Sequence, residues 1–181
     1  MKRTLLGLLA ALLLPFAAGA QQAAGPDTNP VSNAVRKIME RQAKNTAAAM
    51  EAMPADKFGF KPTPDQMTFG HLAVHIADTN NFLCASISGT PAPADDKLTG
   101  TEPKEKLVAA VKSSIDYCAQ ALAKTDDSNL AEQVPFFGGH KASRATAMII
   151  LTDAYADHYG AAAMYLRLNG VAPPTAQPKK D

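Results

Sequence analysis

Between Ser143 and Asn169 the positions Ala145, Met148, Thr152, Tyr155, Tyr159, Ala162 and Leu166 recur three and four residues apart without a break. That spacing keeps one face of an α-helix apolar for roughly seven turns, and it fits no strand, whose side chains alternate between faces at every residue. Asn169-Gly170 supplies a left-handed helix end, and Pro173-Pro174 bars any continuation. An amphipathic helix of this length must bury its apolar face against other elements, so the rest of the chain has to supply them.

Three more segments do so. From Val31 the residues Val35, Ile38, Met39, Ala43, Thr46, Met50 and Met53 keep helical spacing until Pro54, which lacks an N–H and stops the helix. A second helix is predicted from about Thr68 to Ser88, with Phe69, Leu72, Ile76, Leu83 and Ile87 on one face. A third is predicted from about Pro103 to Lys124, with Leu107, Val111, Ile115, Cys118 and Leu122 in its stripe. Gly59, Pro62 and Pro64 mark an irregular connection between the first two helices, and Gly89 to Asp96 reads as a loop. In the connection from Thr125 to Lys141, Phe136 and Phe137 are expected to cap the bundle or line a pocket mouth. No strand alternation and no internal repeat is evident. The expected fold is all-α, an antiparallel four-helix bundle spanning residues 31–174, with connections longer than usual and therefore suited to functional surface.

The N-terminus is predicted to be a signal peptide, residues 1–20. Lys2 and Arg3 precede an apolar run from Leu5 to Ala18, and Ala18-Gly19-Ala20 offers small residues for cleavage before Gln21. The run is short for a bilayer span, which takes about 20 residues, so no stable membrane anchor is expected after cleavage. Residues 21–30 read as a flexible leader and 175–181 as a disordered tail, and the expected location is periplasmic or secreted. Lys and Arg total 18 against 17 Asp and Glu, and no basic stripe is present. A sequence-independent nucleic-acid binder needs clustered positive charge, so nucleic acid is excluded as a partner.

Cys84 and Cys118 are the two cysteines, and both fall on predicted helices. They read either as buried thiols acting as small hydrophobes or as a disulfide; export and the even count favour the disulfide. Neither has a Cys-x-x-Cys partner or an activating neighbour, which argues against a catalytic thiol.

Histidine carries the remaining chemistry. At 100° per residue His75 lies roughly 75° from the centre of its helix stripe and His158 about 60° from the centre of its own. Both imidazoles can therefore point into a cleft at one end of the core, where neutral imidazoles are ligands for zinc or nickel. His71, one turn before His75, sits further toward solvent. A histidine beside an apolar stripe also serves as a plain boundary residue, and His140, after Gly138-Gly139, is either surface or a loop residue folded over the cleft. Asp153 and Asp157 share a face turned about 100–140° from His158 and read as solvated.

Thr68-Phe-Gly-His-Leu-Ala-Val-His-Ile-Ala-Asp78 and His158-Tyr-Gly with Tyr165-Leu-Arg-Leu-Asn-Gly-Val-Ala-Pro-Pro174 resemble the second helix and the final helix of the DinB-like family. Met53-Pro-Ala-Asp-Lys-Phe-Gly-Phe-Lys-Pro-Thr-Pro64 resembles that family's first connection. The likeness spans about residues 30–174. It implies a four-helix bundle around a divalent metal, with His75 and His158 as ligands. The family's further ligand, four residues before His158, is Ala154 here, which leaves His71 as the replacement or leaves the site metal-free. Two functions follow from the resemblance. One is a metal-dependent thiol transferase-like activity with a small-molecule or thiol ligand, Tyr155 or Tyr159 donating a hydrogen bond. The other is a non-catalytic envelope binding or scaffold protein, with a homodimer as an open assembly state.

Overall fold

The computed structural model describes residues 27–94 and 97–178, so the predicted signal peptide and residues 21–26 of the leader lie outside the described residues. Helix α1 runs from Pro30 to Ala52, α2 from Phe69 to Ser88, α3 from Lys104 to Ala123 and α4 from Arg144 to Leu168. Each lies within two residues of its sequence-predicted limits. Thr68 caps α2 by accepting the His71 N–H at 3.0 Å, and Ser143 caps α4 by accepting the Thr146 N–H at 3.1 Å. The other end of α4 closes as a Schellman turn: Gly170, at φ 74°, donates to Arg167, and Val171 donates to Leu166 at 2.9 Å. Helix α1 opens on a proline, and its cap comes from far along the chain. The Asp127 carboxylate accepts the Val31 and Ser32 N–H groups and the Ser32 hydroxyl.

Helix directions follow from named contacts. The disulfide Cys84–Cys118 and the Asn80–Ser114 hydrogen bond of 2.9 Å advance together along both chains, so α2 and α3 run parallel. The Phe69–Tyr165 and His75–His158 ring pairs run in opposite senses, so α2 and α4 are antiparallel. Arg36 reaches the Leu122 carbonyl while Lys104 reaches those of Glu51 and Met53, which makes α1 and α3 antiparallel. The expected bundle is therefore present with one refinement: its order is up-down-down-up, and α1 runs parallel to α4. A crossover carries the chain from the end of α2 back to the start of α3. It is pinned where Gly100 lies directly against Gly70, a contact that leaves no room for a Cβ on either residue.

Two apolar clusters fill the interior. One gathers Ala49, Met50, Phe69, Ile76, Val111, Ala162 and Leu166 at one end of the bundle. The other gathers Met39, Leu83, Tyr117, Cys118, Leu151 and Tyr155 toward the opposite end. No helix among the described residues is long and apolar enough to cross a membrane.

Two local features depart from the sequence expectation. Gln133–Pro135 (β1) and Lys141–Ser143 (β2) form an antiparallel ribbon with Val134 opposite Ala142. Three residues per strand are too few to show alternation, and Gly138 and Gly139, both at positive φ, make the turn. The tail expected to be disordered from Thr175 begins instead as a 3-10 turn, Pro174–Ala176. It is held there because the Thr175 N–H donates to the Tyr159 hydroxyl at 3.0 Å.

Candidate metal centre

His75 and His158 come together. Their ring centroids are 5.0 Å apart with the planes at 76°, an edge-to-face pair across the α2/α4 seam. Both helices are aligned there by the Phe69–Tyr165 contact and by Tyr165, whose hydroxyl donates to the Met67 carbonyl at 2.7 Å. His75 is exposed and His158 is 6% exposed, so the pair joins solvent to the core. Burial is the main influence on His158, and with the neighbouring His75 it pulls the pKa down to about 4; Asp157 acts weakly in the other sense. The imidazole is therefore neutral near pH 7, the state in which a ring nitrogen can bind a metal. Its Nδ1 is buried and has no hydrogen-bond partner.

The other predicted residues divide. His71 is exposed, and its backbone N–H is spent on the Thr68 cap; among the described residues no set of three His, Cys, Asp or Glu side chains is placed to share an ion. Asp153 and Asp157 are exposed, as their helix positions required. Tyr159 turns to the tail, sharing a 2.7 Å hydrogen bond with the Thr175 hydroxyl. Tyr155 is 1% exposed, its hydroxyl has no partner, and burial pushes its pKa up. His140 is exposed in the ribbon turn, its carbonyl accepting the Phe136 N–H at 2.8 Å. Phe137 stacks on Phe82 with centroids 4.8 Å apart, so the two loop phenylalanines cover the outer side of α2. Cys84 and Cys118 are joined, with Cα atoms 5.2 Å apart, and no free cysteine remains.

Three buried polar residues escaped the sequence reading as site residues: Thr46, Asn80 and Ser114. Each lies on the apolar side of its helix, where position alone marks it as core. The available signal was polarity inside that stripe.

As a donor set, two imidazoles, one of them neutral and carrying an unpartnered nitrogen, suit a divalent transition ion. They fall one short of the three protein ligands usual in a catalytic zinc site, so water or an outside ligand would fill the remaining positions.

Comparison with known proteins bears on the same segment of chain. No protein of curated function matches. A DinB-like protein from Bacillus subtilis superposes with a TM-score of 0.66 at 16% identity, over 81% of this chain and 100% of its own. A DinB-like protein from Bacillus cereus gives 0.64 at 16% identity, over 78% and 95%. A conserved protein from Enterococcus faecalis gives 0.59 at 13% identity, over 76% and 96%. At such identities the likeness is one of fold. The sequence profile of the DinB superfamily matches residues 38–162, which takes in both histidines and reaches into all four helices, and the chain belongs to that superfamily.

Proposed function

We propose that this chain is an exported DinB-type binding protein that takes up a divalent transition metal, zinc or nickel, between His75 and His158. The supporting observation is the imidazole pair, one ring buried and neutral and the other open to solvent, at 5.0 Å across two helices. A metal held there lowers the pKa of a coordinated thiol or water, so the small molecule suited to the open positions is a thiol. The chain's own part is to hold the His158 ring in the core, keep it deprotonated, and leave His75 facing the incoming ligand. Export is read from residues 1–20.

Titration calorimetry of untagged protein with zinc and with nickel tests this. Binding near one ion per chain is expected, with His75→Ala and His158→Ala each reducing affinity at least tenfold and Asp157→Ala leaving it unchanged. No heat and no retained ion in the wild type would refute the metal. A specific observation favours a second reading in that event: with Ala154 four residues before His158 and no third ligand nearby among the described residues, the bundle serves as a metal-free envelope scaffold, self-associating as a homodimer.

A further inference from the structure

The helices pack around the core in the cyclic order α1, α3, α2, α4. The seam between α1 and α3 therefore lies across the bundle from the α2/α4 seam that holds His75 and His158. That far seam is not closed: a cavity of about 220 Å³ opens between α1 and α3. Met39, Leu122 and the disulfide-bonded Cys118 make its buried floor. Ala43 on α1 and Ala119 on α3 leave the gap, because each puts a single methyl where a longer side chain would extend into it. At the mouth the Arg36 guanidinium is engaged by the Leu122 and Thr125 carbonyls at 2.9 and 2.7 Å, so it is not available to hold an acid. The exposed carboxylate of Glu40 beside it disfavours one.

Tyr155 also lines the cavity, although it belongs to α4, the helix diagonal to α3. Only the far end of its side chain can reach so far across the core. The residue is 1% exposed, and its hydroxyl has no hydrogen-bond partner. A buried hydroxyl left unmet destabilises a fold, and phenylalanine would fill the same space without that penalty. The penalty is relieved when a molecule in the cavity offers an acceptor. We propose that the α1/α3 cavity binds a small neutral molecule, an apolar body carrying one carbonyl oxygen to which the Tyr155 hydroxyl donates. The size follows from the volume: an apolar cavity of about 150 Å³ holds benzene, so this one has room for a benzene ring with a short substituent. An apolar hollow with one convergent polar group is the usual form of a small-molecule site. The proposal is independent of metal uptake, since it uses neither histidine.

The test is titration of metal-free, nitrogen-labelled protein with acetophenone and with cumene, which matches its shape but lacks the carbonyl, followed by amide chemical shifts. Saturable shifts are expected for both, centred on the amides of Ala43, Cys118 and Ala119 and unchanged in His75→Ala. Tyr155→Phe should weaken acetophenone about fivefold, the effect of one hydrogen bond, and leave cumene unchanged. Its thermal midpoint should equal or exceed that of wild type, whereas a merely structural hydroxyl would lower the midpoint and weaken both probes alike. Ala43→Leu, which fills the gap, should weaken both probes at least tenfold. Any one of three results would overturn the proposal: no saturable shift in wild type, shifts centred on α2 or α4, or equal effects of Tyr155→Phe on the two probes. The wild-type titration decides even if Ala43→Leu fails to fold.

Discussion

Replacing Gly70 with alanine should destabilise the protein although it improves helix propensity. A Cβ there would collide with the Gly100 carbonyl oxygen, and it would also lie 3.1 Å from the Gly100 carbonyl carbon and 3.2 Å from Leu107 Cδ1. The first two obstacles are backbone atoms of the crossover, so no rotamer change relieves them. Overpacking of this kind costs about 1–3 kcal/mol, and here the upper part of that range applies. Alanine recovers less than about 1 kcal/mol in propensity, since Gly70 sits in the first turn of α2. The net expectation is a loss of about 2 kcal/mol, or roughly 4–8 °C in thermal midpoint for a chain of this size. Gly160→Ala is the matched control. Gly160 is exposed on α4, no heavy atom lies within 4 Å of the place its added methyl would take, and the substitution should gain about 0.5–1 kcal/mol. Urea unfolding followed by far-UV circular dichroism measures both. A Gly70→Ala protein within about 0.5 kcal/mol of wild type would show that the crossover is not pinned at this contact.

Three further outcomes are expected. Thiol titration of the denatured, unreduced protein should find no free cysteine, and Cys84→Ala/Cys118→Ala should lose about 3–4 kcal/mol by the chain-entropy estimate for a separation of 34 residues; two free thiols would remove the bridge. His158, with a folded pKa of about 4 against 6.5 for a free side chain, binds fewer protons folded than unfolded between those values. Its contribution is therefore complete above about pH 6.5 and is lost as pH falls toward 4, with a slope of at most about 1.4 kcal/mol per pH unit. Urea unfolding of the metal-free protein should show this slope, and it should vanish in His158→Leu, leaving only the carboxylate contribution. Asp127→Ala should lower the thermal midpoint by uncapping α1, whereas Asp126→Ala should leave the α1 cap intact; equal midpoints for Asp127→Ala and wild type would contradict the long-range cap.

The four helices were readable because each carries an unbroken apolar stripe, and at α2 and α4 cap and stop agree with it, Thr68 with Gly89 and Ser143 with Gly170. Their directions were not. A 20-residue helix is about 30 Å long, and the 15 residues from 89 to 103 reach about 50 Å when extended. The segment can therefore turn back as a hairpin or run the length of the bundle, and the Cys84–Cys118 and Asn80–Ser114 pairs, with the Gly70–Gly100 contact, decide for the second. The ribbon was hidden by its brevity, and the α1 cap by a separation of 95 residues.

The site divided along the same physical line. His75 and His158 were legible because each departs from its stripe by a measurable angle, and a polar residue at the margin of an apolar face announces a seam. Thr46, Asn80 and Ser114 depart by none. A stripe position reports only that a side chain is buried, and three buried polar side chains on three helices have meaning only once their heights along the bundle are known. Those heights depend on α2 and α3 running parallel, which the disulfide and the Asn80–Ser114 bond establish. Had α3 run the other way, Ser114 would oppose a different turn of α2, and Asn80 would lack its acceptor. The reversal of the crossover thus brings Asn80 and Ser114 to one level, and there the buried amide finds its acceptor.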